Sequence, residues 1–388
     1  MNIKSLDIFC DVIDNFGDIG VVYRVAKEMK KIHGENIEIR VILNRLDEFL
    51  YLNRRAKKIE YQEIDGITYL TEDFLAKNIC TFSPANVIIE AFGCNIFSEY
   101  LEKAKSESSL LINLEYLSGE KWIEDVHGME SLMGAKKLKK FFFMPGFSEK
   151  TGGVIVDSLF LDRKKMVQEN REMYLKKYIT DLNCNDKFIG TVFSYEKNLL
   201  PLLKGLENNL KNNILLIMGE KSQSSLLKLQ ENLNLEKLSN DLYRYKNIEL
   251  KFMPFLEQEE YEELINAVDY NLVRGEDSFV RALLTGKPFV WHIYLQDEMA
   301  HMDKIEGFID RYMETMSKLE SEKIIEVHTK LLRDYNLRDK NSLEIGKEDF
   351  IEFFEKFDDI KKLSEKYSEY LISNCNLIEK LNRFILKY

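Results

Sequence analysis

Proline is scarce in this chain, five in 388 residues, and cysteine and histidine are no commoner, with five of each. Nothing in that composition resembles a disordered or fibrous chain. The cysteines (Cys10, Cys80, Cys94, Cys184, Cys375) are odd in number and lack short paired spacings. They supply neither a disulfide framework nor a zinc site, and read as reduced, mostly buried small hydrophobes. The scattered histidines likewise suggest no structural metal. No stretch reaches the roughly 18 apolar residues of a membrane span, and Met1 to Asp7 lacks the apolar run of a signal peptide. The expectation is therefore a cytoplasmic protein that stays off the membrane. Basic charge is also in deficit: the formal net charge of −11 denies the chain the general basic face that nucleic-acid binding needs.

What remains is ordinary globular material, 45% hydrophobic and 12% aromatic. A chain this long exceeds one ordinary core, so two domains are expected. In the first half, short apolar runs alternate with helical patterns. Leu6 to Val12 reads as a buried strand and Ile19 to His33 as a helix closed by Gly34. Glu38 to Leu43, Val87 to Ala91, Leu110 to Leu114 and Phe141 to Phe143 read as further strands. After a polar helical stretch from about Ser158 to Tyr178 the pattern restarts. Strands are expected at Phe188 to Phe193, Ile214 to Met218, Ile248 to Phe252, Tyr270 to Val273 and Phe289 to Ile293, with a helix at Glu257 to Ala267. The last 70 or so residues are charged and strandless, with amphipathic helices such as Phe350 to Phe357 and Leu377 to Leu386. Such alternation implies right-handed βαβ units and an α/β fold of two mostly parallel sheets. The expected division is an N-terminal domain over 1–155, a linker helix over 156–186, a C-terminal domain over 187–365, and a final helix over 366–388 returning to the N-terminal domain.

Two segments sit where strands turn into helices, the place an α/β sheet presents ligands. The first is Asp11-Val12-Ile13-Asp14-Asn15-Phe16-Gly17-Asp18-Ile19-Gly20. Its glycines permit a tight turn. Asp18 is open to two readings of equal weight, a helix cap and a functional carboxylate. Asp14, just past a buried strand, is costly unless paired or used. No G-x-G-x-x-G and no Walker lysine accompany it, which weakens nicotinamide and P-loop readings. The second is Arg274 to Pro288, read as a loop, a helix starting near Ser278, a Gly286 cap and a proline stop. A helix N-terminus suits a diphosphate, Arg274 can clamp it, and Glu276 can hold a ribose hydroxyl; an ordinary capped helix is the equal alternative. Phe193, Tyr195, Phe255 and Tyr261 are rings near strand ends that a base could stack on, though each taken singly reads as core. His292 and His301 read as structural or supporting groups rather than metal ligands.

Taken together, these segments resemble the bacterial protein-arginine rhamnosyltransferases that modify elongation factor P. The resemblance rests on Asp7-Ile8-Phe9-Cys10, on Asp14 to Val21, on Ile89-Glu90-Ala91-Phe92-Gly93-Cys94 and on Asn113-Leu114-Glu115-Tyr116-Leu117-Ser118. It continues through Pro145 to Gly153, Arg274 to Arg281 and Pro288 to Tyr294, spanning about residues 7 to 301. The family usually has proline near position 295, where this chain has Leu295, which puts a local turn in doubt. The resemblance implies a GT-B fold, two Rossmann-like domains facing across a cleft with a helical tail, and an inverting transfer without metal or other cofactor. It implies dTDP-β-L-rhamnose as donor and one arginine of elongation factor P as acceptor, the product helping the factor rescue ribosomes stalled at polyproline. By the same similarity Asp14 and Asp18 are the catalytic pair. Asn15, Phe16, Gly17, Phe193, Tyr195, Phe255, Gln258, Tyr261, Arg274, Glu276, Asp277 and Ser278 surround the nucleotide sugar. The alternatives are a GT-B enzyme with a small-molecule, lipid or glycan acceptor, and a non-catalytic binding protein. The acidic chain offers a lipid acceptor neither a basic nor an apolar face, and binding alone would not require both carboxylates.

Overall fold

The computed structural model describes residues 3–13, 16–132, 137–179, 187–207, 212–337 and 346–388. The chain divides into two compact units, Met1–Ser158 with Leu371–Tyr388, and Leu159–Tyr370.

The first unit is a seven-stranded sheet built from β1 (Ser5–Cys10), β2 (Glu38–Leu43), β3 (Tyr61–Ile64), β4 (Ile67–Thr71), β5 (Val87–Ala91), β6 (Leu110–Leu114) and β7 (Lys139–Phe143). Their order is β3-β4-β2-β1-β5-β6-β7. All neighbours are parallel except the β3–β4 hairpin at the edge. β1, β2 and β5 are rich in Val, Ile, Leu and Phe because both faces of a parallel sheet are covered by other elements. Their residues divide by alternation between two apolar clusters: Leu6 and Ile8 join one with Val22, Ala26 and Met29 of the Phe16–His33 helix, and Phe9 joins the other with Tyr100 and Ala104.

Leu377, Ile378, Leu381 and Ile385 of the final helix complete the first of these clusters. The Pro145 to Gly153 segment receives that helix. Val154 N–H donates to the Cys375 carbonyl at 2.7 Å and Leu377 N–H to the Val154 carbonyl at 2.8 Å. Lys380 Nζ donates to the carbonyls of Glu149 and Thr151, each at 2.9 Å. Gly153 stands at φ +83°, and a Cβ there would lie 2.2 Å from the Cys375 carbonyl oxygen, so only glycine fits.

The second unit repeats the plan with β8 (Lys187–Val192), β9 (Asn212–Ile217), β10 (Glu236–Lys237), β11 (Leu242–Tyr245), β12 (Ile248–Phe252), β13 (Tyr270–Arg274) and β14 (Phe289–His292). The order is β10-β11-β12-β9-β8-β13-β14, antiparallel only at β10–β11–β12. The Ser158–Glu169 and Arg171–Leu175 helices fall in the stretch read as a linker, and they pack with this unit: Val167, Tyr174 and Leu175 share a core with Ile189 and Leu264. The helix read as starting near Ser278 begins two residues earlier, spanning Glu276–Thr285 behind Gly275 at φ +68°. β3, β4, β10 and β11 were not anticipated. Among the described residues no helix is long and apolar enough to cross a membrane.

Candidate functional site

In each sheet the chain runs outward from a central strand to one edge and then returns to the central strand's other side. That reversal lies between β1 and β5 in the first unit and between β8 and β13 in the second. Ligands collect outside the carboxyl ends of the strands at such a switch point, and the loops after those strands are the segments the sequence singles out.

At the first switch point Cys10, the last residue of β1, pairs with Leu43 on one side and Ala91 on the other. The loop that follows is tied to both neighbours. Val12 N–H donates to Asn44 Oδ1 at 2.9 Å, and Asn95 N–H donates to Asp11 Oδ2 at 3.3 Å. Asp18 is buried in the first turn of the Phe16–His33 helix. Its Oδ2 accepts the Ile13 N–H at 2.9 Å, so the carboxylate reaches back across the turn that precedes the helix. That contact fixes one oxygen. Asp14 and Asn15 lie outside the described residues, as does the side chain of Phe16; Gly17 is half-buried at the helix start.

Acidic groups gather at this edge. Burial, with Asp11 and Asp73 nearby, holds the Glu72 carboxyl above the usual carboxylate range. Burial and then Asp18 push up the Cys10 thiol, and burial and then Glu90 do the same to Cys94, so both stay protonated and unreactive. Beyond β5, Phe92 adopts φ +58°, a left-handed conformation rare for a bulky residue, and its ring stacks on Tyr116 at 4.5 Å. Asn113 Nδ2 donates to Glu115 Oε1 at 2.8 Å and holds that carboxylate at the end of β6. Sequence reading matched these motifs without giving them a role.

At the second switch point Phe193 and Tyr195 follow β8, and Arg274 ends β13. The Arg274 guanidinium sits over both rings, 4.6 Å from the Phe193 centroid and 4.8 Å from that of Tyr195. Tyr261 meets Phe193 edge to face at 6.0 Å. Directly after Arg274 comes the N-terminus of the Glu276–Thr285 helix, whose cap is Gly275, a residue without a side chain to cap it. Ser278 is its third residue. Trp291 Nε1 donates to the Gly275 carbonyl at 3.1 Å and fixes the turn. Asp277 pairs at 3.8 Å with the fully buried Arg281, and Glu276 pairs at 3.8 Å with Lys304. Phe255 is 68% exposed, on the loop before the Gln258–Ala267 helix that Gln258 begins. The structure therefore gathers Phe193, Tyr195, Tyr261, Arg274 and the helix start, with Phe255 on the loop beyond β12 and Gln258 at the start of the helix that follows it. His292, the last residue of β14 and the register partner of Arg274, joins them; only the fold reveals this, since its partners come from distant segments. Among the described residues no group of three or more His, Cys, Asp or Glu could hold a metal ion.

Comparison with known proteins gives this geometry its context. The family model described as Elongation-Factor P (EF-P) rhamnosyltransferase EarP matches residues 6–386. A protein-arginine rhamnosyltransferase of Pseudomonas aeruginosa is 33% identical over 316 residues, covering 79% of this chain and 81% of its own. One of Neisseria meningitidis is 28% identical over 388 residues, covering 98% and 97%. Among solved structures, one from work on EarP-mediated arginine glycosylation of translation elongation factor EF-P superposes with a TM-score of 0.64 at 20% identity, covering 99% of each chain. A UDP-GlcNAc 2-epimerase of Neisseria meningitidis bound to UDP-GlcNAc superposes at 0.55 with 11% identity, covering 99% of this chain and 100% of its own. The fold is GT-B.

Proposed function

The chain belongs to the EarP family and is a protein-arginine rhamnosyltransferase, and from that premise we propose that it moves L-rhamnose from dTDP-β-L-rhamnose to an arginine of elongation factor P. The observation that carries the donor half is Arg274, held between Phe193 and Tyr195 beside an uncapped helix N-terminus. A flat pyrimidine suits the aromatic group of Phe193, Tyr261 and Phe255. A diphosphate suits a guanidinium next to a helix N-terminus, with Ser278 adding a hydroxyl. In this reading Glu276 and Gln258 bind the sugar hydroxyls and base.

The acceptor half follows from charge. Arginine has a pKa above 12 and aspartate one near 4, so full deprotonation in advance of attack would cost on the order of 12 kcal/mol. A carboxylate pair does better as a clamp: it holds the planar fork and localises electron density on one terminal nitrogen. In this reading Asp18, buried and fixed through Ile13, takes the proton late, as the C–N bond forms and the nitrogen becomes acidic. Asp14 orients the guanidinium. The leaving diphosphate takes its compensating charge from Arg274 and the helix N-terminus, and the transfer needs no metal. The product is an α-rhamnosyl arginine, consistent with inversion at the anomeric carbon.

Thermal shift tests the donor assignment. Because a ligand that binds only the native state raises its stability, dTDP is expected to raise Tm well above any effect of UDP or NAD. Equal behaviour of the three, or no shift with dTDP, overturns the assignment.

A further inference from the structure

The second unit buries three histidines, and two of them are fully satisfied. His328 contacts Tyr312 Oη at 3.0 Å through Nδ1 and the Phe289 carbonyl at 2.7 Å through Nε2. His301 receives the Gln296 N–H on Nδ1 at 3.2 Å and meets the Asn336 carbonyl at 3.2 Å through Nε2. His292 is the exception. Its Nδ1 lies 2.7 Å from Ser194 Oγ, yet its buried Nε2 has no hydrogen-bond partner among the described residues. A buried unsatisfied nitrogen is costly and calls for an explanation.

The ring is not loosely held. Asn336 brackets its backbone, accepting the Ile293 N–H at 2.9 Å and donating to the Trp291 carbonyl at 2.7 Å. Ser194 is itself tied, its N–H donating to Ser222 Oγ at 2.7 Å, and Tyr335 Oη lies 3.1 Å from Ser194 Oγ. Either atom can be the donor in the His292–Ser194 and Ser194–Tyr335 contacts; the direction running from Tyr335 to Ser194 to Nδ1 is the one that leaves the proton of the neutral imidazole on Nε2. The imidazole does stay neutral: burial, then Lys197 and Arg274, lower its pKa to about 3. The spare donor therefore stands beside Arg274, its register partner, and Tyr195, whose ring is perpendicular to it at 5.4 Å.

We propose that His292 is a further donor-binding residue, its Nε2–H meeting an oxygen of the nucleotide's diphosphate alongside Arg274. The inference rests on the donor reading above. Nε2 is shielded from water, so contact requires a neighbouring side chain to shift; the half-buried Tyr195 ring, on which Arg274 rests, is adjacent. Neutrality suits the role, because a donor without charge adds a directed hydrogen bond without a second buried cation beside Arg274.

Asparagine keeps an amide where Nδ1 stands, whereas glutamine places one where Nε2 stands. Titration calorimetry with dTDP, alongside Tm, separates the two. His292→Asn is expected to weaken dTDP binding roughly ten- to hundred-fold, while His292→Gln stays within about threefold of wild type at similar Tm. Wild-type affinity in His292→Asn, or equal losses in the two variants, overturns the proposal and leaves the ring a packing element. The wild-type protein gives an independent readout: with ¹⁵N-labelled histidine, the His292 Nε2–H signal should move on adding dTDP, and a fixed signal overturns the contact whatever the variants do. Absence of dTDP binding by the wild type removes the donor reading and this inference with it. Binding with a stationary signal removes this inference alone.

Discussion

The account turns on Asp18, a residue for which sequence spacing allowed a cap and a catalyst equally. In the fold its Oδ2 accepts the Ile13 N–H from before the helix. An asparagine oxygen can accept that same bond. Asp18→Asn is accordingly expected to keep the wild-type Tm and lose at least about a hundredfold in turnover, the usual worth of a general base. Near-normal turnover contradicts its role as proton acceptor. Other residues were legible only in part. Arg274 and Phe193 were foreseeable as neighbours because each ends or follows a strand at a switch point. The setting of His292 was not, since it depends on Ser194 and Tyr335, 98 and 141 positions apart in the chain from the atoms they meet. Buried histidines also set a pH response. His127, whose Nδ1 accepts the Met144 N–H at 3.1 Å, is lowered to about 4 by burial and then Lys380; burial lowers His328 to about 4. Their folded values lie below the unfolded value near 6.5, so on acidification the unfolded chain takes up protons first. Their stabilising contribution is complete above about pH 6.5 and is lost as pH falls towards 4. Tm should therefore decline between pH 7 and 4.5, and less steeply in His328→Gln; a flat profile contradicts the neutral, buried assignment.

At the scale of elements, short apolar runs between polar turns were the easiest to read. Glu38–Leu43, Val87–Ala91, Leu110–Leu114 and Ile248–Phe252 match the sequence reading at both ends, because such short runs rich in Val, Ile and Leu are the mark of a strand. The β3–β4 hairpin escaped because Tyr61–Ile64 alternates exposed and buried residues at a sheet edge and is only four residues long. A signal was present all the same: Asp65-Gly66 joins the strands with both residues at positive φ, 54° and 69°, as a two-residue Asp-Gly turn demands. The Pro145 to Gly153 segment shows how a matched motif finds its explanation in packing. Its carbonyls hold Lys380 and its Gly153 lets the chain pass the Cys375 carbonyl. Gly153→Ala should cost at least about 2 kcal/mol, lowering Tm by roughly 4–8 °C. An unchanged Tm would mean that the final helix is not seated as described.

For the whole molecule, the two-unit plan follows from two runs of alternating strands and helices, and the sequence shows the restart plainly. Less legible was the assignment of the connecting helices. Ser158–Glu169 carries charge on its exposed side and reads as a polar connector, yet Phe160 and Val167 are fully buried in the second unit, and Phe160 lies under the Arg281 guanidinium at 5.0 Å. Tertiary burial of a few apolar positions decided what composition could not. The proposed transfer is equally a property of the whole chain, because the proposal draws on Asp14 and Asp18 of one unit and Arg274 of the other. Intact-mass measurement of elongation factor P after incubation with the enzyme and dTDP-β-L-rhamnose tests it most directly. The account predicts a gain equal to one rhamnosyl group, located on a single arginine and absent when Asp18→Asn replaces the wild type. An unchanged mass with both proteins folded, or a sugar on another residue type, would contradict it.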